Sequence, residues 1–396
     1  MARYLGPERF GLLSYAQSLV GLFGAIATLG LNSIVIRDLV KNKSDDNHAL
    51  IGTAFILKFC GALVTLLFLW LAIAVIDTDS YTKFLIFIIA SATIFQSFNV
   101  IDFFFQAKVQ SKYVVYTNFV VMGISSLLKV LFILIKAPLE YFALIFLIES
   151  IVMAGGLIFF YKTRQQSIRR WKFKRDIALR LLSDSWPLIL SSISISIGMR
   201  IDQVMIKSMM DEKSVGYYAV GVKLAEVFNF IPVVISQSIY PKIVEMDFKS
   251  EHNKLVSLIR YIFYPLALIG IFVNIFSFYI VDILYGNEFL PSVRVFDILI
   301  WSIPVTFLNI VTTAILQTEN YNRVVLLRQI ILALVNILIN LLLIPKFGIV
   351  GASFATLFAD ISIIIFGFMI PKERWIFFLR LQALFFIPKI YFNFNK

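Results

Sequence analysis

The chain has 396 residues, of which 60% are hydrophobic and only 15% are charged, and its mean hydropathy is +0.87. Soluble globular proteins carry about 25% charged residues, so this composition excludes a soluble globular chain and indicates a membrane protein. The net charge of +12 does not indicate nucleic-acid binding, because the basic residues stand between apolar runs and form no single exposed face. One cysteine and two histidines provide no pattern for a disulfide, zinc or haem, so we expect no cofactor.

Apolar runs long enough to span a bilayer follow one another along the chain. They cover residues 10–36, 50–76, 81–106, 113–135, 139–161, 186–210, 214–240, 255–284, 293–317, 324–344 and 349–370. They lack the polar alternation of a transmembrane barrel, and helices satisfy their own backbone hydrogen bonds in lipid. The sequence therefore predicts an all-α polytopic membrane protein with about eleven transmembrane helices.

The predicted helices group into two bundles, an N-terminal bundle of five over residues 1–161 and a C-terminal bundle of six over residues 185–371. Residues 162–184 carry eight Lys and Arg side chains among apolar residues near helical spacing. This pattern predicts a basic amphipathic cytoplasmic linker on the anionic inner leaflet, with a solvated basic loop as the alternative. The composition of residues 372–396 predicts a basic, aromatic tail that lies on the cytoplasmic membrane surface.

Lys and Arg in the loops predict the orientation of the chain. Loops on one side of the predicted helices, with the C-terminal tail, hold about three times as many as those on the other side. The C-terminus is therefore expected in the cytoplasm and residue 1 outside. Segment 8–12 resembles segment 213–217, which pairs the first predicted helix with the seventh and leaves the sixth unpaired. Both observations lead us to expect that the first helix of a twelve-helix fold is missing.

A series of short motifs in a fixed order carries a family resemblance. Segments 5–16 (LGPERFGLLSYA), 200–203 (RIDQ), 215–219 (VGYYA), 284–286 (LYG) and 348–352 (GIVGA) occur in that order. The chain thereby resembles bacterial polysaccharide (O-antigen) flippases of the multidrug/oligosaccharidyl-lipid/polysaccharide exporter superfamily.

The resemblance implies a multi-pass protein of the bacterial inner membrane that is a transporter and not an enzyme. Its substrate would be an undecaprenyl-diphosphate-linked oligosaccharide repeat unit, moved from the inner to the outer leaflet by alternating access. The implied partners are this lipid-linked oligosaccharide, membrane lipids and other polysaccharide assembly proteins. The alternatives are a multidrug exporter of the same superfamily and a membrane enzyme that acts on lipid-linked sugars.

Basic residues inside the predicted helices are candidates for binding a diphosphate. A charge inside the bilayer is costly, so each one needs a partner or a water-filled cavity. Arginine suits a diphosphate because its planar guanidinium donates two hydrogen bonds at once. For Arg37, near the cytoplasmic end of the first helix, an ordinary positive-inside anchor is the alternative. The predicted substrate-binding residues are Arg200, Lys58, Lys223 and Arg37.

Acidic residues inside the predicted helices are candidates for coupling transport to H⁺ or Na⁺. They are Asp202, Glu226, Glu149 and Asp360. Two of them, Asp202 and Glu226, fall at the same depth as Arg200 and Lys223. A structural salt-bridge cluster between the sixth and seventh helices is therefore the alternative.

Overall fold

The computed structural model describes residues 1–41, 47–75, 79–246, 248 and 250–385. Every regular element in these ranges is helical, which confirms the predicted all-α class. The helices are α1 Ala2–Thr28, α2 Leu31–Lys41, α3 His48–Val75, α4 Ser80–Phe95, α5 Val100–Ala107, α6 Lys112–Leu134, α7 Leu139–Thr163, α8 Arg175–Met209, α9 Glu212–Glu245, α10 His252–Tyr285, α11 Ser292–Leu299, α12 Ser302–Thr318, α13 Asn322–Met369 and α14 Arg374–Phe385.

Ten helical segments in the described part of the chain are long and apolar enough to cross a membrane. The last of them, α13, contains both of the final two predicted helices. It is divided at Gly348, whose φ of +59° and ψ of −137° are not helical, and a positive φ of this kind is readily adopted by glycine alone. The count of ten therefore agrees with the prediction of about eleven, and the chain is a multi-pass membrane protein.

Two of the helices start at an aspartate that caps them. Asp79 accepts a hydrogen bond from the backbone N–H of Thr82 at 3.0 Å, and Asp211 accepts one from Ser214 at 2.7 Å. Each bond satisfies a donor that the first turn of a helix leaves free. The bonds from Thr82 hold the pKa of the Asp79 carboxyl below its ordinary value.

Contacts divide the chain into two compact units. The first unit comprises Met1–Leu5 and Leu12–Ile201, and the second comprises Gly6–Gly11 and the chain from Asp202 onward. Large apolar side chains on α2, α3, α5 and α7 fill the core of the first unit, among them Leu31, Ile51, Phe105 and Tyr161. The bundle boundaries expected at residues 161 and 185 stay a prediction.

The basic segment before α8 packs against α3. The backbone N–H of Lys174 donates to the Thr53 hydroxyl at 3.0 Å, and that of Lys172 donates to the His48 carbonyl at 3.4 Å. Gly52 allows the approach, since a Cβ there would lie 2.7 Å from the Lys172 nitrogen. These bonds hold residues 171–174 outside any helix, and α8 begins at Arg175 and continues to Met209. The segment thus differs from the separate amphipathic helix expected within 162–184.

In the second unit, the two glycines of the predicted repeat lie against each other. A Cβ on Gly11 would lie 2.7 Å from the Gly216 nitrogen, and one on Gly216 would lie 2.0 Å from the Pro7 carbonyl oxygen. Only glycine permits this approach, since a Cβ in either position would overlap the backbone of the facing segment. The likeness between segments 8–12 and 213–217 therefore corresponds to a contact between them.

Helix α14 packs on α10 and α13 of the second unit. Arg260 of α10 donates to the carbonyls of Gln382 and Ala383 at 2.7 and 3.1 Å, which satisfies the free C-terminal end of the helix. The side chain of Arg380 is 1% exposed. Polar partners inside the unit allow Arg380 to be buried, which the sequence did not indicate. The expected position of the tail on the membrane surface stays a prediction. The remainder of that tail, residues 386–396, lies outside the described residues.

Candidate substrate and ion sites

Asp202 lies at the centre of a buried hydrogen-bond cluster in the second unit. The residue is 3% exposed, and its carboxylate accepts hydrogen bonds from Tyr218 at 2.6 Å, Asn340 at 2.6 Å and Thr356 at 2.7 Å. These donors come from α9 and from both sides of the break in α13. Asp202 is thus held by neutral donors and not by the basic side chains expected in a salt-bridge cluster, and the site can stabilise one buried negative charge.

Asp360, the second acidic candidate of this region, has a different environment. Its carboxylate makes no hydrogen bond to any described side chain, although the charge of Asp202 acts on it. It lines a cavity of about 370 Å³. Two acidic groups therefore lie near each other in the second unit, one fully hydrogen-bonded and one open to a cavity.

The other two predicted residues of this region are on α9. Lys223 and Glu226 are both exposed, and the Lys223 ammonium lies 4.6 Å from the ring centre of Phe10. A cation over an aromatic face is attracted by the ring, which accounts for this position. The structure thus brings Asp202 and Asp360 together, and it places Glu226 on the surface of the second unit.

Arg200 and Arg37 belong to the first unit and have different surroundings. Arg200 is half-buried and lies along α1, where a Cβ on Gly21 would be 3.5 Å from its Cγ. No described carboxylate lies within ion-pair distance of it. Arg37 forms ion pairs with Asp38 at 2.9 Å and Asp184 at 3.0 Å. Arg37 is therefore part of an exposed ion-pair network between α2 and α8, as a structural anchor would be.

Lys58 is a buried cation in the first unit. It is 6% exposed, and its ammonium lies 4.9 Å from the ring centre of Phe103. The charge of Asp102 acts on it, but no described carboxylate comes within ion-pair distance, and Asp102 instead accepts a hydrogen bond from Gln106 at 3.0 Å. A buried ammonium without a direct ion pair is suited to bind an anionic group.

Glu149 is an ion-pair partner in the same unit. It accepts hydrogen bonds from Lys129 at 3.2 Å and from the Ser125 hydroxyl. It also lines a cavity of about 240 Å³ together with Asn99 and Asn118. Because Lys129 already neutralises its charge, Glu149 is less suited than Asp360 to exchange a proton or bind a cation.

A buried arginine–glutamate cluster in the second unit was not predicted from the sequence. Arg328 and Arg380 both form ion pairs with Glu373, and the three side chains are 3%, 1% and 0% exposed. Arg328 also donates to Asn309 at 3.2 Å, and Arg380 donates to Thr312. Glu373 and Arg380 stand in the predicted surface tail, so no local pattern marked them as buried. The cluster fixes α14 to α12 and α13.

The fold is similar to solved structures of membrane transporters. An inward-facing multidrug resistance MATE family transporter of the MOP superfamily matches with a TM-score of 0.74 and 14% identity, over 96% of this chain and 93% of that one. The lipid II flippase MurJ in an inward closed conformation matches with a TM-score of 0.73 and 15% identity, over 97% and 89%. At these identities the similarity establishes the fold alone.

Two proteins named as glycan transporters match in sequence. The low-salt glycan biosynthesis flippase, as assigned in Haloferax volcanii, is 25% identical over 232 residues, which is 57% of this chain and 48% of that protein. The match thus spans about half of that relative. A protein assigned as an O-antigen transporter in Shigella flexneri is 21% identical over 394 residues, 89% of this chain and 87% of that protein.

The family comparison covers more than half of the chain. Residues 1–247 match the family described as "Polysaccharide biosynthesis protein". This region includes the whole first unit as well as Asp202 and Tyr218 of the buried cluster. The chain therefore belongs to the polysaccharide biosynthesis protein family.

Proposed function

We propose that the protein is a flippase that moves an undecaprenyl-diphosphate-linked oligosaccharide repeat unit from the inner to the outer leaflet of the bacterial cytoplasmic membrane. The observation that carries the proposal is the family match over residues 1–247, because the fold alone also occurs in drug transporters. Transport proceeds by alternating access and needs no covalent chemistry. The partners are the lipid-linked oligosaccharide, membrane lipids and other polysaccharide assembly proteins.

The experiment that tests this function is deletion of the gene in its own host. We expect loss of the surface polysaccharide and accumulation of the lipid-linked repeat unit, both reversed by the wild-type gene. Loss of resistance to cationic drugs with unchanged polysaccharide would instead favour a multidrug exporter. A membrane enzyme would leave an unprocessed saccharide of altered structure, which mass spectrometry of the accumulated lipid distinguishes.

Binding of the diphosphate is assigned to Arg200 and Lys58. Arg200 is half-buried without an ion pair among the described residues, and Lys58 is a buried cation against an aromatic ring. Both features support an anion-binding role. Lys223 and Arg37 are exposed and already have contacts with Phe10 and with Asp38 and Asp184. We propose that these two residues contact the headgroup as it enters and do not form the site where the diphosphate binds most tightly.

Replacing Arg200 is expected to reduce flipping without removing the protein from the membrane. Arg200→Ala should lower the rate at least tenfold, because a guanidinium hydrogen bond to a charged group contributes about 1.5–3 kcal/mol. Arg200→Lys should lower it less, since lysine keeps the charge but not the fork of donors. Surface polysaccharide is measured relative to membrane protein, and Arg323→Ala, an exposed arginine at the start of α13, is the control. Wild-type flipping by Arg200→Ala would refute the assignment.

Coupling to H⁺ or Na⁺ is assigned to Asp202 and Asp360. A buried carboxylate with three donors and a second carboxylate nearby support uptake of one cation, which would reduce their mutual repulsion. Glu149 is paired with Lys129 and Glu226 is exposed, so we assign them secondary roles in coupling.

The orientation proposed from the loop charges has its own test. A reporter inserted within residues 162–184 should read as cytoplasmic, because this segment contains eight basic side chains. A reporter inserted within residues 77–80 should read as external; of these, 77 and 78 lie outside the described residues. Alkaline phosphatase and green fluorescent protein fusions give opposite signals on the two sides. The reverse pair of signals would contradict a cytoplasmic C-terminus.

A further inference from the structure

The second unit contains a cavity with a partly polar lining that none of the roles above uses in full. Its volume is about 370 Å³, and α9, α12 and α13 form its walls. The polar residues in its described lining are Tyr240, Thr306, Asn309, Thr313, Gln317, Arg328, Gln329 and Asp360. Ligand pockets have volumes of about 300–1,000 Å³, so the cavity is large enough for one or two sugar rings and too small for a long oligosaccharide.

The charges of the cavity disfavour an anionic ligand. Arg328, the one basic residue in the described lining, already forms an ion pair with Glu373 and donates to the Asn309 side-chain oxygen at 3.2 Å. Asp360, the one acidic residue in that lining, would repel an anion. A phosphate group would therefore bind weakly in this cavity. It would bind more favourably at Lys58, whose buried ammonium has no direct ion pair among the described residues.

The hydrogen-bonding groups of the cavity favour a polyhydroxylated ligand. The Asp360 carboxylate and the amides of Gln317 and Gln329 have no side-chain hydrogen bond to another described residue. Each glutamine offers donors and an acceptor, while the carboxylate accepts from two adjacent hydroxyls. Asn309 is held in place, because it accepts from Arg328 and donates to the Asp360 backbone carbonyl at 3.2 Å. A preorganised set of amides with one carboxylate matches the hydroxyl groups of a neutral sugar.

We propose that this cavity binds a neutral sugar ring of the lipid-linked substrate, separately from the cations that bind the diphosphate. The proposal rests on the proposed function and deepens it, since it assigns the saccharide to the second unit. Gln317 and Gln329 are then specificity-determining residues, and Arg328 acts through Asn309 as a positioning residue.

The test is protection of a single cysteine at the cavity. Cys60, the one native cysteine, is changed to serine, and Thr313→Cys is introduced in the full chain. Thr313 lines the cavity and is partly exposed, and its hydroxyl donates to the Asn309 carbonyl of its own helix, so the change leaves Gln317 and Gln329 in place. The labelling rate by a hydrophilic maleimide is measured in membrane vesicles. The probes are lipid-linked oligosaccharide extracted from the host, the water-soluble saccharide released from it by mild acid, and undecaprenyl diphosphate.

We expect both saccharide probes to slow labelling of Thr313→Cys several-fold and undecaprenyl diphosphate to leave it unchanged. Arg323→Cys, exposed at the start of α13, should be labelled at the same rate with each probe as without any probe. Gln329→Leu in the same background should raise the saccharide concentration needed for protection about three- to tenfold, as loss of neutral hydrogen bonds predicts. Equal labelling with and without saccharide, or protection by undecaprenyl diphosphate alone, would overturn the proposal.

The outcomes also separate this proposal from the proposed function. If host cells flip the repeat unit and the cysteine is not protected, the cavity assignment fails and the flippase remains. If the saccharide protects the cysteine but deletion of the gene leaves surface polysaccharide intact, the flippase fails and the saccharide site remains.

Discussion

Glu373→Ala is expected to remove most of the folded protein from the membrane. The change leaves Arg328 and Arg380 buried without their shared carboxylate. Removing one partner of a buried ionic group costs about 3–5 kcal/mol, which is a large part of the 5–15 kcal/mol that stabilises a typical protein. The amount of monodisperse protein after detergent extraction, measured by fluorescence-detected size exclusion, reports the loss.

A triple change distinguishes unpaired charge from loss of packing. Arg328→Met, Glu373→Leu and Arg380→Met together remove the charges but keep apolar side chains of similar size, so the amount of folded protein should recover. Because Arg328 also lines the cavity of the second unit, protein amount and not transport is the readout. A triple variant as unstable as Glu373→Ala would show that the ion pairs themselves hold α14 in place.

Asp202→Asn is expected to abolish ion-driven transport while the protein still inserts and folds. Asparagine has nearly the shape of aspartate, but it cannot take up a proton or provide a negative charge to a cation. Transport in an imposed proton or sodium gradient should fall at least tenfold and no longer respond to the gradient. The measurement is flipping in vesicles at a series of internal and external pH and sodium values.

Tyr218→Phe is the matched control for this change. It removes one of the three donors to Asp202 and leaves the carboxylate in place, so gradient dependence should persist at a reduced rate. If Asp202→Asn kept the gradient dependence of the wild type, coupling would have to be assigned to Asp360 or another acidic group.

The helices of this protein could be predicted because a transmembrane helix is a local property of the sequence. About twenty apolar residues suffice to identify one, and the break at Gly348 falls between the last two predicted runs. The sequence likewise placed Asp202 and Lys58 inside helices, where a charge is unusual. What each charge contacts was beyond such reasoning, since Asn340 and Thr356 lie 138 and 154 residues from Asp202.

The burial of Arg380 in the C-terminal region could not be predicted from the local pattern. Arg380 interrupts an apolar run, which suggests a surface helix when its partners are unknown. The structure provides those partners from α12 and from the turn before α14, namely Thr312 and Glu373. Lys129 illustrates the same limit, because its partner Glu149 stands on the next helix, 20 residues away. Burial of a charge depends on such long-range contacts, and one sequence does not reveal them.

The most direct measurement of the central claim is flipping of a lipid-linked oligosaccharide by the purified protein in liposomes. A fluorescent undecaprenyl-diphosphate oligosaccharide is placed in both leaflets, and a membrane-impermeant reductant destroys the fluorescence of the accessible pool. With the protein present, the pool in the inner leaflet should become accessible within the measurement, and Arg200→Ala should slow this at least tenfold. A rate equal to that of protein-free liposomes, under both proton and sodium gradients, would contradict the account.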